Sequence, residues 1–369
     1  HNGAAGATVD GEVQVGAQYR MSDMRAGCLW RDGGLKARLA PYAMVVVADT
    51  AALARPMLQA GWPDAASGAR LLLWVCNRFD YGVVGDGAYY QLWRQLPQLP
   101  RVTVVASTAA EISYAAEARG VDFPSAAVIK PLGLLADGGD AAAAAADWSD
   151  PIPPSVDRAR TLFLLPKINE ARLGLQKALE GAGIAVWTPG TWPHGMQRWG
   201  GPRAVASFRA ALHVPYAPTT FALFEHAQAG LLTFVPSAAL LLRWYKQGAL
   251  FFQATPADFV ATRRRTADLT AAALAATEWY DAENAACFVY FDSLDDLKAK
   301  LPLADDAGRR EALREWAARH TNTTMGRWRM IDRFLVRGEA AAEVLLYVYE
   351  LYFRVHVRQV LDVHLSFAQ

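Results

Sequence analysis

Lysine is scarce in this chain: only seven of its 37 basic residues are Lys, and 30 are Arg. We read the imbalance as the coding bias of a GC-rich genome, which makes each lysine stand out against a default of Arg. An excess of one charge is also missing. The 37 basic residues meet 36 acidic ones, a formal net charge of +1. That balance excludes a general nucleic-acid binder, which needs a basic surplus to meet phosphates. Cysteine is nearly absent. Cys28, Cys76 and Cys287 are too few and too scattered for a disulfide framework, and no CxxC pair offers a zinc site. A single bridge stays open.

Long apolar runs are missing too. The longest uncharged apolar run, His226 to Leu242, contains Pro236 and falls short of the ~20 residues of a membrane span. No membrane span and no nucleic-acid partner are therefore expected. Residues 1–11 are small and polar and carry no signal-peptide core. The chain is expected in the cytoplasm, or in a lumen if an N-terminal anchor was trimmed. The seven histidines show no HxH, HExxH or HxxxH pair, so no metal is expected. GxGxxG, GxxxxGK[ST] and GxSxG are absent, which argues against nicotinamide enzymes, P-loop NTPases and α/β-hydrolases.

What is present is apolar material in short blocks. The 369 residues are 53% hydrophobic, enough for about two domain cores. Tyr42–Ala48, Arg70–Cys76, Arg101–Ala106 and Ala127–Lys130 read as strands, with helices predicted after the first and third. Such alternation implies a parallel sheet covered on both faces. Ala136–Pro154, rich in Gly, Ala and Pro, reads as a domain boundary. The alternation then restarts. Strands are predicted at Thr161–Leu165, Ile184–Trp187, His213–Val214, Leu231–Val235 and Ala286–Phe291. Helices are predicted at Asn169–Gly181, Arg203–Leu212, from Thr219 or Thr220 to Gly230, and at Arg309–His320. Ala340–His364 reads as a long apolar terminal helix.

The expected fold class is α/β, with two Rossmann-like domains. Residues 1–150 form the first, 151–335 the second, and 336–369 a terminal helix packing back on the first. Ligands of such sheets bind beyond the strand carboxyl ends.

The sharpest constellation is His213-Val-Pro-Tyr-Ala-Pro-Thr-Thr220 followed by Phe221-Ala-Leu-Phe-Glu225. A strand, a tight turn and a helix start make an anion site from free N–H groups, assisted by Thr219 and Thr220. Glu225 sits where a carboxylate can accept hydrogen bonds from a ribose diol. The plainer reading makes the threonines ordinary caps and Glu225 a solvated helix residue.

This stretch resembles the C-terminal half of GT-B glycosyltransferases. There, a strand–turn–helix element ends with a Glu that binds the donor ribose, followed by Gly, a strand and a Pro-Ser-type turn. Specific motifs match from about Pro166 to Ser237. The resemblance implies that Tyr216, Pro218, Thr219 and Thr220 face the donor diphosphate and that Glu225 faces the ribose. It also implies that Lys167, after the strand, pairs with the donor phosphates with help from Arg172. A Glu-x7-Glu pattern is absent, because Pro218 stands seven residues before Glu225. Inverting and retaining chemistry both stay open.

The first half offers Asn77-Arg78-Phe79-Asp80-Tyr81 directly after a strand. Asp80 and Arg78 are candidate catalytic groups, or else a structural ion pair. Asp49 at a strand end and Asp23 in an early loop are further candidate bases for an acceptor hydroxyl. Asn77, Tyr81 and Lys130 are candidate acceptor-side residues. The expected activity is metal-independent transfer of a sugar from a UDP- or GDP-linked donor, itself a substrate, to a hydroxyl acceptor such as a glycan. No cofactor is expected. The alternatives are a non-catalytic carbohydrate- or nucleotide-binding protein of the same fold, and a sugar-nucleotide epimerase.

Overall fold

The computed structural model describes residues 21–31, 34–48, 51–64, 68–76, 79–99, 101–123, 127–133, 152–165, 168–189, 201–252 and 269–335. They fall into two compact units. One is drawn from residues up to Lys130 and from Arg327 on, the other from Pro131 to Gly326.

In the first unit, α1 (Asp23–Arg31) and α2 (Leu35–Leu39) precede β1 (Met44–Val47). Then come α3 (Arg55–Gln59), β2 (Arg70–Val75), α4 (Gly87–Gln95), β3 (Val102–Ala106), α5 (Ala109–Arg119) and β4 (Ala127–Val128). The strands pair in parallel in the order β1-β2-β3-β4. Both faces are buried, as the unbroken apolar strands require. Val45, Val47, Leu71 and Leu73 pack with Phe79, Tyr89 and Trp93 on one face, and Val46, Leu72, Val105 and Ile129 line the other. Asp23, read from the sequence as a loop residue, opens α1. No helix was read over α4. Its start is fixed by Asp86, whose carboxylate caps Tyr89 N at 3.1 Å.

The second unit runs β5 (Leu162–Leu164), α6 (Ile168–Arg172), α7 (Leu175–Gly181), β6 (Val186–Trp187), α8 (Gly201–Ala206) and β7 (Ala210–Leu212). It continues with α9 (Phe221–Gln228), β8 (Thr233–Pro236), α10 (Ala238–Lys246), α11 (Ala271–Ala275), β9 (Phe288–Phe291), α12 (Leu294–Lys300) and α13 (Ala307–Leu335). All five strands are parallel, in the order β6-β5-β7-β8-β9. Alternate residues serve opposite faces: Leu162 and Leu164 join the cluster of Leu179, Phe234 and Phe291, while Phe163 joins Phe208 and Val205.

Two expectations need correction here. Arg203–Leu212 is not one helix: α8 stops at Ala206 and Ala210–Leu212 is β7. The alanines favour helix, but this segment lies between β5 and β8, and ladder pairing overrides propensity. His213 N extends the ladder to Phe234 O at 3.0 Å. Asn169–Gly181 is also not one helix, because Gly174 adopts a left-handed conformation (φ 57) between α6 and α7.

Helix α13 is continuous over 29 residues. Trp328 and Ile331 near its end pack on the first unit's sheet, with Trp328 edge-on to Trp74 at 5.2 Å. The segment 336–369, with the expected terminal helix, lies outside the described residues. Among the described residues, no helix is long and apolar enough to cross a membrane.

Candidate functional site

In the second unit the chain passes from β5 to β6 on one side, then to β7 on the other. The order therefore reverses between β5 and β7, and the crevice beyond their carboxyl ends is where open α/β sheets hold ligands. Among the described strands of the first unit the order never reverses.

Two buried side chains at the start of α6 shape this crevice. Asn169 Nδ2 donates to Pro215 O at 2.8 Å and to Phe251 O at 2.7 Å, while its Oδ1 accepts from Phe251 N at 2.8 Å. Glu170 Oε1 accepts from Val214 N at 2.8 Å and lies 2.6 Å from His213 Nδ1. The exit of β7 is thus anchored on both edges by one short helix.

The turn that follows is held from the other side. Trp279 Nε1 donates to Ala217 O at 2.8 Å, and Glu278 N donates to Pro218 O at 3.0 Å. Asn284 fixes Glu278 in turn, through its carbonyl and its carboxylate. Thr220 is the N-cap of α9 in extended backbone (φ −145, ψ 149), yet its hydroxyl caps nothing. Thr108, Ser237, Thr270 and Ser293 all bond a backbone N–H at their own helix starts. The hydroxyl oxygens of Thr219 and Thr220 are buried and make no hydrogen bond.

Glu225 lies one turn into α9. Burial pushes its carboxyl up to about 7, because desolvation disfavours the charged form. The segment Pro131–Gly133 runs beside it. Gly133 N donates to Gln228 Oε1, His320 Nε2 lies 2.8 Å from Pro131 O, and Gln228 Nε2 donates to Thr321 at 3.0 Å. Leu223, Phe224 and His226 face the core instead, and burial, with the nearby His213 charge, lowers the His226 imidazole to about 3.

Tyr216, Pro218, Thr219, Thr220 and Glu225 therefore share one strand–turn–helix element. Arg172 lies on α6 but is exposed, its guanidinium 3.5 Å from Gly248 O. Asp80, Tyr81 and Lys130 belong to the first unit. Asp49, Asn77, Arg78 and Lys167 lie outside the described residues, as do Trp192, His194 and Trp199 of the aromatic loop.

Asp80 is fully buried. Its Oδ2 accepts from Tyr90 at 2.8 Å, Tyr114 at 2.9 Å and Arg119 at 3.1 Å. Desolvation raises the Tyr90 phenol to about 12, with the Asp80 charge adding to it, so Tyr90 stays a donor. Glu111 lies three residues after the Thr108 cap, as expected for a capping-box position, and its carboxylate accepts from Phe79 N at 2.8 Å. Both carboxylates brace the segment that follows β2.

Asn169 and Glu170 were not singled out from the sequence, and His213 was named there only as the first residue of the turn constellation, without a role of its own. Their only signal there is position: polar residues just beyond two apolar strands. Among the described residues, no three His, Cys, Asp or Glu side chains converge to hold a metal ion.

No protein-family model matches the chain. No curated protein matches it. Among solved structures it is similar to the glycosyltransferase SnogD from Streptomyces nogalater. That match has 15% sequence identity and a TM-score of 0.42, over 87% of this chain and 81% of that one.

Proposed function

We propose that this chain is a glycosyltransferase that moves a sugar from a nucleoside-diphosphate donor to a hydroxyl acceptor, with the donor held by the second unit. One observation carries the reading: α9 begins with two buried, unbonded hydroxyls, Thr219 and Thr220, and bears Glu225 one turn on. A helix N-terminus and two hydroxyls suit a diphosphate, which is rich in acceptor oxygens. Glu225 is assigned to the ribose hydroxyls. Tyr216 and Pro218 shape the turn between them.

As the glycosidic bond to the donor breaks, negative charge grows on the leaving diphosphate. Donors fixed beforehand at that position lower the barrier. Lys167, which follows β5 in sequence, is assigned as the cation there. Arg172, exposed on the far end of α6, is left outside the site. The base that takes the acceptor proton is assigned to Asp23 or Asp49. Asp80 and its three donors are assigned to holding the fold of the first unit. Asn77, Arg78, Tyr81 and Lys130 stay proposed for the acceptor side.

The test is titration of the purified protein with a panel of UDP- and GDP-sugars, followed by product analysis with and without a hydroxyl acceptor. Binding with transfer or slow donor hydrolysis supports the reading. Binding without turnover would favour a non-catalytic binding protein, and isomerisation of the donor alone would favour an epimerase.

A further inference from the structure

Helix α9 is held at its start in a different way from α5, α10, α11 and α12. Those four are capped by a hydroxyl of their own, from Thr108, Ser237, Thr270 and Ser293. The Thr220 hydroxyl caps nothing. Instead, two consecutive carbonyls just before Thr219 are gripped from a separate segment, 277–281. Trp279 Nε1 donates to Ala217 O at 2.8 Å, and Glu278 N donates to Pro218 O at 3.0 Å. Both donors stand on a firm base. Trp279, Glu278 and Asn284 are all buried. The indole lies against His213 at 4.9 Å and Phe288 at 5.8 Å. Tyr290 donates to Trp279 O at 2.8 Å, and Tyr280 donates to Pro236 O at the end of β8 at 2.9 Å. Asn284 Nδ2 donates to Glu278 O at 2.9 Å and to Glu278 Oε2 at 2.8 Å. A polar network buried and bonded in this way fixes one conformation.

We infer that Trp279 and Glu278 are positioning residues of the donor turn: their grip replaces the missing side-chain cap and leaves Thr219 and Thr220 to the diphosphate. This rests on the donor-site reading above. The geometry of the peptide group says what the grip achieves. In a planar trans peptide, C=O and N–H point in opposite directions. Pro218 O is turned to Glu278, so the Thr219 N–H of the same peptide points away from residue 278. Pro218 has no N–H, so the Ala217–Pro218 peptide held by Trp279 strands no donor. A hydroxyl that caps its own helix is engaged with an internal N–H. The Thr219 and Thr220 hydroxyls make no such bond and can meet phosphate oxygens. Donors held in place before the ligand arrives need no reordering on binding. Trp279 and Glu278 act through the turn and touch no nucleotide themselves.

The shared peptide supplies a readout that a merely structural role would not move. A phosphate oxygen that accepts from Thr219 N–H polarises the Pro218 carbonyl and strengthens its bond from Glu278 N. NMR of the isotope-labelled wild type follows the Glu278 amide, which does not depend on any variant folding. Its proton signal should move downfield on saturation with UDP or GDP, whichever binds, and should stay in place with uridine or guanosine, which carry no phosphate. In parallel, UDP and GDP are titrated into the wild type, into Trp279→Phe and into the double variant Thr219→Val with Thr220→Val. Trp279→Phe keeps an aromatic ring against His213 and removes only the N–H donor with part of the ring. It should bind the diphosphate about 3- to 10-fold more weakly, the scale of one neutral hydrogen bond.

An unmoved Glu278 amide in the nucleotide-saturated wild type, or unchanged diphosphate affinity in Trp279→Phe, overturns the inference. If the valine variant still weakens binding in that case, the donor-site reading stands. If the wild type binds neither UDP nor GDP, both fall. Should Trp279→Phe fail to fold, the wild-type amide decides alone.

Discussion

Gly133 lies directly against the backbone of Glu225. A methyl group placed on Gly133 would stand 3.0 Å from Glu225 Cα and 2.8 Å from Gln228 Oε1. The Gln228 side chain can move, but the helix backbone cannot. Gly133→Ala should therefore lift Pro131–Gly133 off α9 and destabilise the protein by about 1–3 kcal/mol, the usual range for overpacking. Thermal melting checks this. On the donor-site reading, nucleotide affinity falls as well, since Glu225 loses a neighbour that fixes it.

Asn169 makes three buried hydrogen bonds that join two loops, one through Pro215 and the other through Phe251. Asn169→Ala leaves those backbone groups unpaired and should cost about 2–4 kcal/mol. Asn169→Asp should be nearly as damaging, because a carboxylate cannot donate to the two carbonyls. Denaturant unfolding of both variants measures the effect.

Glu225 and His226 give stability opposite slopes with pH. The native state holds a proton on Glu225 up to about 7, against an ordinary value of 4.5. Above 4.5 the unfolded state has lost that proton, so stability falls as pH rises through this window. His226 titrates near 3 in the native state instead of 6.5, so its contribution is lost as pH falls below 6.5. Glu225→Gln removes the first slope. It should be more stable than the wild type at pH 8, by roughly 2–3 kcal/mol, and should gain nothing at pH 4. Melting curves from pH 4 to 8 decide it. Parallel curves for wild type and variant would contradict the buried carboxyl.

Asp80 should behave as a structural group. Asp80→Ala removes the acceptor shared by Tyr90, Tyr114 and Arg119 and leaves a buried cavity beside them. A loss of about 3–5 kcal/mol is expected, the range for breaking a buried charge pair. Affinity for UDP or GDP should stay unchanged in whatever fraction folds, measured by calorimetry at low temperature.

The sheets were largely legible in the sequence, because Met44–Val47, Arg70–Val75 and Phe288–Phe291 are unbroken apolar runs that only a two-sided parallel sheet buries. Strand β7 was expected but misplaced, at His213–Val214 instead of Ala210–Leu212: Ala-Ala-Leu carries a helix preference, and only its place between β5 and β8 makes it a strand. Helix α4 was hidden because its buried face is Tyr89, Tyr90 and Trp93, aromatics that fit a loop or strand equally well. In the site, the turn Tyr216–Thr220 and Glu225 stand next to each other in sequence and were readable as a motif. Glu170 and His213 are 43 residues apart, and only the pairing of β5 with β7 brings them together. The Asp80 network was half readable: an ion pair was expected with Arg78, which lies outside the described residues, and among the described residues Asp80 pairs with Arg119 on α5, far away in sequence.

The claim that Thr219, Thr220 and Glu225 hold a nucleoside diphosphate is tested most directly by titrating UDP and GDP into three proteins. These are the wild type, Glu225→Ala, and the double variant Thr219→Val with Thr220→Val. The valines remove two buried hydroxyls that have no partner, so that variant should be as stable as the wild type or more stable by about 1 kcal/mol. The account predicts that the wild type binds one of the two nucleotides and that each variant binds it at least about 10-fold more weakly. Failure of the wild type to bind either nucleotide, or unchanged affinity in both variants, would contradict it.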